Sequence, residues 1–125
     1  MRILLDTQIF IWVTQDSPRL TAQARAIMLE AAEVFVSAAS IWEIAIKAAL
    51  GKLQADPERM TEAIRASGFT ELPVSAAHAA GVGRLPDHHR DPFDRLLVAQ
   101  ALAEPLRLLT ADGRLARYTD LVIQV

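Results

Sequence analysis

The sequence predicts an α/β protein, a single doubly wound parallel sheet flanked by helices. Three observations carry that reading. Arg2-Ile3-Leu4-Leu5 is a short apolar run without polar alternation, as expected of a strand buried on both faces of a parallel sheet. Strand-like runs then alternate with helical stretches to the end of the chain, which gives right-handed crossovers and helices on both faces. Finally, acids follow the strand-like runs. Asp6 closes the first of them, at the sheet edge where strands stop, helices begin with unsatisfied N–H groups, and ligands bind.

Taken in order, Thr7 to Thr14 has helical spacing in Ile9, Trp12 and Val13, and Asp16-Ser17-Pro18 ends it. Thr21 to Ala32 reads as a helix with Ala24, Ile27, Met28 and Ala31 as its buried stripe. Glu33 to Ser37 is a strand by its β-branched and aromatic content. A helix over Ala38 to Leu50 stops at Gly51, where a left-handed residue is wanted. Pro57 to Ser67 is a helix with Pro in its first turn and Gly68 beyond its end. Phe69 to Leu72 is a short strand, and Ser75 caps a helix over Ala76 to Val82. Gly83 to Arg90 is the one long polar loop. Asp91 opens a helix over Pro92 to Ala103, Leu106 to Leu109 is a strand, Asp112-Gly113 begins a short helix, and Leu121 to Val125 is the last strand.

With 125 residues the chain forms one domain, 1–125, able to bury roughly two thirds of its unfolded surface. Its 52% apolar content exceeds the soluble average, mostly through Ala, Leu and Ile, so some helix surface is left for a partner and an oligomer is expected. A formal charge of −2 excludes a global pull toward nucleic acid, so any polyanion is held by a local patch or through metal. Lys47 and Lys52 are the only lysines; the other basic residues are arginines, which suit bidentate phosphate contacts and equally reflect codon composition. The absence of cysteine excludes disulfides, thiolate metal sites and a Cys nucleophile, and makes the cytoplasm the expected compartment. Asp6 and Gln8 interrupt the apolar start before it reaches signal-peptide length, and no 18-residue apolar stretch spans a membrane.

Each acid has a structural reading. Asp6 fits a helix N-cap, Asp91 and Asp94 fit a capping box with Pro92 between them, and Asp112 fits a turn. Glu43 lies three residues after Ser40, as in a capping box, and four before Lys47, as in a helical ion pair. Jointly they say more, because the alternation places every strand-to-helix junction on one edge of the sheet. Four carboxylates then face one crevice. Charges about 4 Å apart repel by about 1 kcal/mol in water and about 4 at an effective dielectric near 20, whereas a capping bond returns only about 1. A cation has to neutralise such a cluster, and oxygen ligands without Cys favour Mg²⁺ or Mn²⁺. An ion so held activates water and stabilises charge developing on a phosphodiester.

Leu4-Leu5-Asp6-Thr7, Ser40-Ile41-Trp42-Glu43-Ile44, the stretch Arg90-Asp91-Pro92-Phe93-Asp94-Arg95 continuing to Ala101, and Leu109-Thr110-Ala111-Asp112 resemble, in order and spacing, the PIN domain of VapC-type toxins. The likeness runs from residue 2 to about 125. It implies a sheet in the order 3-2-1-4-5 with the first strand central, and a Mg²⁺-dependent endoribonuclease. It implies that Asp6 and Asp94 are the primary metal ligands, that Glu43 and Asp112 hold a second ion or orient water, and that Thr7 and Thr110 support the cluster. It also implies a homodimer and a small VapB-type antitoxin that blocks the site. Gln8 departs from the pattern, since His often follows Asp-Thr in the subgroup most resembled.

Other candidates are weaker. His88 and His89 are candidates for a phosphate or metal contact, although adjacent histidines in a polar loop read first as solvated residues, and His78, among alanines, reads as a surface or packing residue. Arg95 reads equally as a phosphate contact or the partner of a nearby acid. Trp12 and Trp42 lie at helical spacing with aliphatics, which favours core packing or a dimer face over base stacking. Arg84, Arg90 and Arg114, with Arg95, are the RNA-groove candidates. The main rival function, a phosphoacceptor receiver module, needs an acidic pair after the first strand, an Asp closing the third and a late Lys. The chain has Asp6-Thr7, no Asp after Leu72 and no lysine beyond Lys52. A non-catalytic interaction module is the second rival, since fold alone proves no function.

Overall fold

The computed structural model describes all 125 residues. The elements run β1 (Arg2–Leu5), α1 (Thr7–Thr14), α2 (Ala22–Glu30), β2 (Glu33–Ser37), α3 (Ala38–Ala49), α4 (Pro57–Ala66), β3 (Thr70–Leu72), α5 (Ala76–Gly81), α6 (Pro92–Ala103), β4 (Arg107–Thr110) and β5 (Val122–Gln124). All neighbouring strands are parallel, in the order β3-β2-β1-β4-β5. The predicted class and strand order are both present.

β1 is central because both of its faces are covered. Ile3, Leu4 and Leu5 are fully buried, and alternation along the strand sends them to opposite sides. Ile3 and Leu5 enter a core with Ile9 and Phe10 of α1, Ala24 of α2, Ile44 of α3, and Met60 and Ile64 of α4. Leu4 enters a second core with Phe35, Leu72, and Leu97, Val98 and Ala101 of α6. A run without alternation is therefore what the position requires.

The helix ends follow from local chemistry. Thr21 caps α2 and Asp56 caps α4, with Pro57 at its first turn. Gly51 and Gly68, at φ +72° and +80°, adopt the left-handed backbone that turns the chain after α3 and α4. Helix α3 corrects one expectation. It starts at Ala38, and its cap is Ser37, whose hydroxyl accepts from the Ala39 N–H. Ser40 lies inside the helix and accepts from the Thr7 hydroxyl at 2.9 Å, so Ser40 and Glu43 form no capping box. The reciprocal box occurs at α5, between Ser75 and His78. His78 is buried there, its Nε2 against Glu104 and its Nδ1 against the Ser75 N–H. After β4 the expected short helix is only a 3-10 turn over Leu115–Arg117, and another such turn, Val82–Arg84, follows α5. No helix is long and apolar enough to cross a membrane.

The strand order reverses about β1, since β2 follows it on one side and β4 on the other. At such a switch point the connections leave in opposite directions and a crevice opens at the carboxyl ends of the strands.

Candidate metal centre at the carboxyl edge of the sheet

Asp6 is placed by backbone first. Its N–H donates to the Leu109 carbonyl at 3.0 Å, extending the β1–β4 ladder by one residue. Its side chain then caps α1, accepting from the Ile9 N–H at 2.8 Å through Oδ1 and from the Thr110 hydroxyl through Oδ2. Thr110 Oγ1 also accepts from the Asp112 N–H, which ties the end of β4 to the turn beyond it. The capping role and the place in the cluster therefore coexist in Asp6.

Glu43 comes from the middle of α3 and is buried. Its Oε2 accepts from Lys47 Nζ at 2.7 Å, while its Oε1 is buried without any hydrogen-bond partner. Asp94 enters from the first turn of α6. Asp91 caps that helix, accepting from the N–H groups of Phe93 and Asp94. The Asp94 carboxylate does not return the bond to Asp91; it meets His89 Nε2 at 3.0 Å. Asp112 accepts two side-chain bonds from Arg114.

These residues line one open cleft of about 510 Å³, which contains Asp6, Thr7, Gln8, Glu43, Lys47, Asp91, Asp94, Asp112 and Arg114. Its electrostatics are those of crowded carboxylates. Burial raises Asp6 to about 6, against the bonds from Thr110 and Ile9, with Asp94 and Glu43 adding to the rise. Burial, then the neighbouring Asp91 charge, raises Asp94 to about 6 as well. Asp112 goes the other way because Arg114 stabilises its charge, and the Lys47 ammonium is held protonated by its bond to Glu43. Two of the acids thus resist ionisation at the place where the chain has concentrated them.

The PIN domain family model matches residues 3–121. This chain belongs to the PIN domain family. It is 33% identical over 122 residues to ribonuclease VapC22 of Mycobacterium tuberculosis, covering 93% of this chain and 91% of that protein, which places it on the VapC-type side of the family. Two solved structures share the fold. VapBC2 from Rickettsia felis, bound to a DNA fragment from its promoter, superposes with a TM-score of 0.71 at 17% identity, over 100% of this chain and 99% of that one. A toxin–antitoxin complex from Klebsiella pneumoniae gives 0.70 at 19% identity, over 98% and 96%. Family membership sets the receiver reading aside.

The donor set of this PIN domain fits a hard divalent cation. It is rich in carboxylate oxygen, and the Glu43 Oε1 atom is buried without a partner, an arrangement that costs about 1–3 kcal/mol unless something meets that atom. Both expected hydroxyls are buried, but only Thr110 meets a carboxylate, that of Asp6, whereas Thr7 donates to Ser40. Gln8 lines the cleft.

The arginines separate. Of the groove candidates, Arg114 lines the cleft. Arg84 instead lines a different hollow, with Gly81, Leu85, Ala99 and Leu102. Arg90 is exposed. Arg95 pairs with no acid. Its guanidinium donates to the Val82 and Pro86 carbonyls and to the Tyr118 hydroxyl, bracing the Gly83 to Arg90 loop. That brace explains His89, which the sequence offered as a phosphate or metal contact only behind its reading as a solvated residue. Tyr118 donates to the His89 carbonyl and packs edge-on against the His88 ring. His89, with a side chain only 10% exposed, is thereby presented to Asp94 and, at 3.8 Å, to Asp112. The available signal was its position, two residues before the Asp91 cap.

Proposed function

We propose that this PIN domain is a Mg²⁺-dependent endoribonuclease, the toxin component of a VapBC-type toxin–antitoxin pair, that hydrolyses RNA phosphodiester bonds. The observation that carries the reading is the convergence of Asp6, Glu43, Asp94 and Asp112 on one cleft, with a buried Glu43 oxygen left unpartnered. The 33% identity to a protein named a ribonuclease supports the same activity.

Asp6, Glu43, Asp94 and Asp112 are the residues that hold Mg²⁺, with Mn²⁺ as a substitute. When bound, the ion would supply a water of lowered pKa and positive charge to offset charge developing on the phosphodiester. The protein's own groups do the rest. Thr110 fixes the Asp6 carboxylate through Oδ2 while the Ile9 N–H fixes Oδ1, so its orientation is set before any ligand arrives. Lys47 holds one oxygen of Glu43 and leaves the other free. Arg114, exposed at the rim, would offer an RNA phosphate the guanidinium that otherwise rests on Asp112. Purified protein should cleave single-stranded RNA with Mg²⁺ and lose that activity in excess EDTA. Cleavage that persists in EDTA would contradict the mechanism.

The antitoxin and a second copy of the chain are the proposed partners. Solved toxin–antitoxin complexes of the same fold support the first. For the second, Trp42 and Ile46 on α3 and Leu50 at its C-terminal cap present an exposed apolar stripe at helical spacing, with Trp42 resting edge-on against Phe93. Gel filtration at high concentration should give a dimer, and a strict monomer would contradict that partner.

A further inference from the structure

We infer that His89 is a nitrogen donor to the ion in this cleft, so that the site is not built from oxygen alone and takes first-row transition ions such as Mn²⁺ or Co²⁺ more tightly than Mg²⁺. The inference rests on the proposal that the carboxylates hold a divalent ion. His89 Nε2 and one oxygen each of Asp94 and Asp112 lie within 4.8 Å of one another. The nitrogen is 3.0 Å from Asp94 Oδ2 and 3.8 Å from Asp112 Oδ2. Around an octahedral ion with bonds of about 2.1 Å, adjacent donors stand roughly 3.0 Å apart and opposite donors roughly 4.2 Å. The Asp94 separation matches adjacent donors, and the Asp112 separation lies between the two values.

The imidazole is held there by structure remote from the acids. Arg95 on α6 ties the Val82 and Pro86 carbonyls to the Tyr118 hydroxyl, and Tyr118 in turn holds the His89 carbonyl. A histidine serving only as a hydrogen-bond donor to Asp94 has no need to approach Asp112, whose carboxylate Arg114 already engages through both oxygens. The unpartnered Glu43 Oε1, in the cleft that Asp94 and Asp112 also line, is an independent sign that a cation is accommodated. Imidazole nitrogen adds affinity for first-row transition ions and little for Mg²⁺, whose ligands are oxygens.

Calorimetric titration of the full chain with Mg²⁺, Mn²⁺ and Co²⁺ should show that His89→Ala weakens Mn²⁺ and Co²⁺ by about tenfold or more and Mg²⁺ by less than about threefold. Electron spin-echo spectroscopy of the Mn²⁺-loaded wild type should show modulation from a directly bound ¹⁴N, absent in His89→Ala. His89→Gln, which keeps an N–H donor toward Asp94, should restore neither. Circular dichroism establishes that both variants are folded. If Mn²⁺ binds the wild type without nitrogen modulation, or if His89→Gln restores wild-type affinities, His89 is only a positioning residue and the inference is overturned while the metal site stands. If none of the three ions binds the wild type, the metal site itself is overturned.

Discussion

Asp94→Asn is expected to cut RNA cleavage by about a thousandfold or more and to leave the metal-free fold at least as stable as the wild type. The two halves have one cause. Asp94 sits in the first turn of α6, beside Asp91 and in the field of Glu43, and its pKa is raised to about 6 mainly by burial. At neutral pH the folded chain therefore holds its charge at a cost relative to the unfolded chain. Asparagine keeps the shape and removes the charge. The expected gain is about 1–2 kcal/mol, allowing for solvent screening at its partly exposed edge. The α6 cap is untouched, because Asp91 alone accepts the Phe93 and Asp94 N–H bonds. Cleavage of labelled RNA together with urea denaturation in EDTA reads both halves. Wild-type cleavage by the variant would remove Asp94 from the mechanism, and a large loss of stability would make it a structural residue.

The second large effect is a stability of the metal-free protein that falls as pH rises. Asp6 and Asp94 have folded pKa values of about 6, above the usual 3.8. Between those values the folded chain binds more protons than the unfolded chain, so unfolding becomes easier from about pH 4 to about pH 7. A shift of about two units at Asp6 corresponds to roughly 2–3 kcal/mol over that window. Asp112 acts in reverse: Arg114 lowers its pKa, so its contribution is lost only as pH drops through the carboxylate range. Urea denaturation in EDTA at pH 4.5 and 7.5 should therefore give the lower stability at 7.5, and Asp6→Asn should flatten the dependence. Asparagine caps a helix as well as aspartate, so loss of the α1 cap does not obscure the result. A metal-free protein more stable at pH 7.5 than at 4.5 would show that the cleft carries little strain.

The fold was legible because its strongest signals are local. The unalternating Ile3-Leu4-Leu5 run, the glycines at 51 and 68, and Pro57 and Pro92 at helix starts each act within a few residues, and the elements they delimit are present within one or two residues. The convergence of Asp6, Glu43, Asp94 and Asp112 on one cleft was also legible, since strand–helix alternation places junctions on one edge. The tertiary bonds were not. Ser40 follows the S-x-x-E spacing of a cap, yet Ser37 closes β2 one residue before α3 begins and takes that role. Arg95 stands beside Asp94 in the chain, but its long side chain finds two carbonyls and a hydroxyl on the far side of the loop. His89 looked solvated because its burial depends on Tyr118, 29 residues away. Spacing along a chain reports neighbours on one element and not the partner a loop meets across the fold.

The most direct measurement of the central claim is the stability added by a divalent ion at pH 7.5, compared between the wild type and Asp94→Asn by urea denaturation with and without millimolar Mn²⁺. If the four carboxylates form one cation-binding cleft, the ion stabilises the wild type substantially, by about 2–4 kcal/mol at a hundred- to thousandfold excess over its dissociation constant, and stabilises the variant little. Equal stabilisation of both proteins, or none of the wild type, would show that the acids crowd this edge of the sheet for another reason.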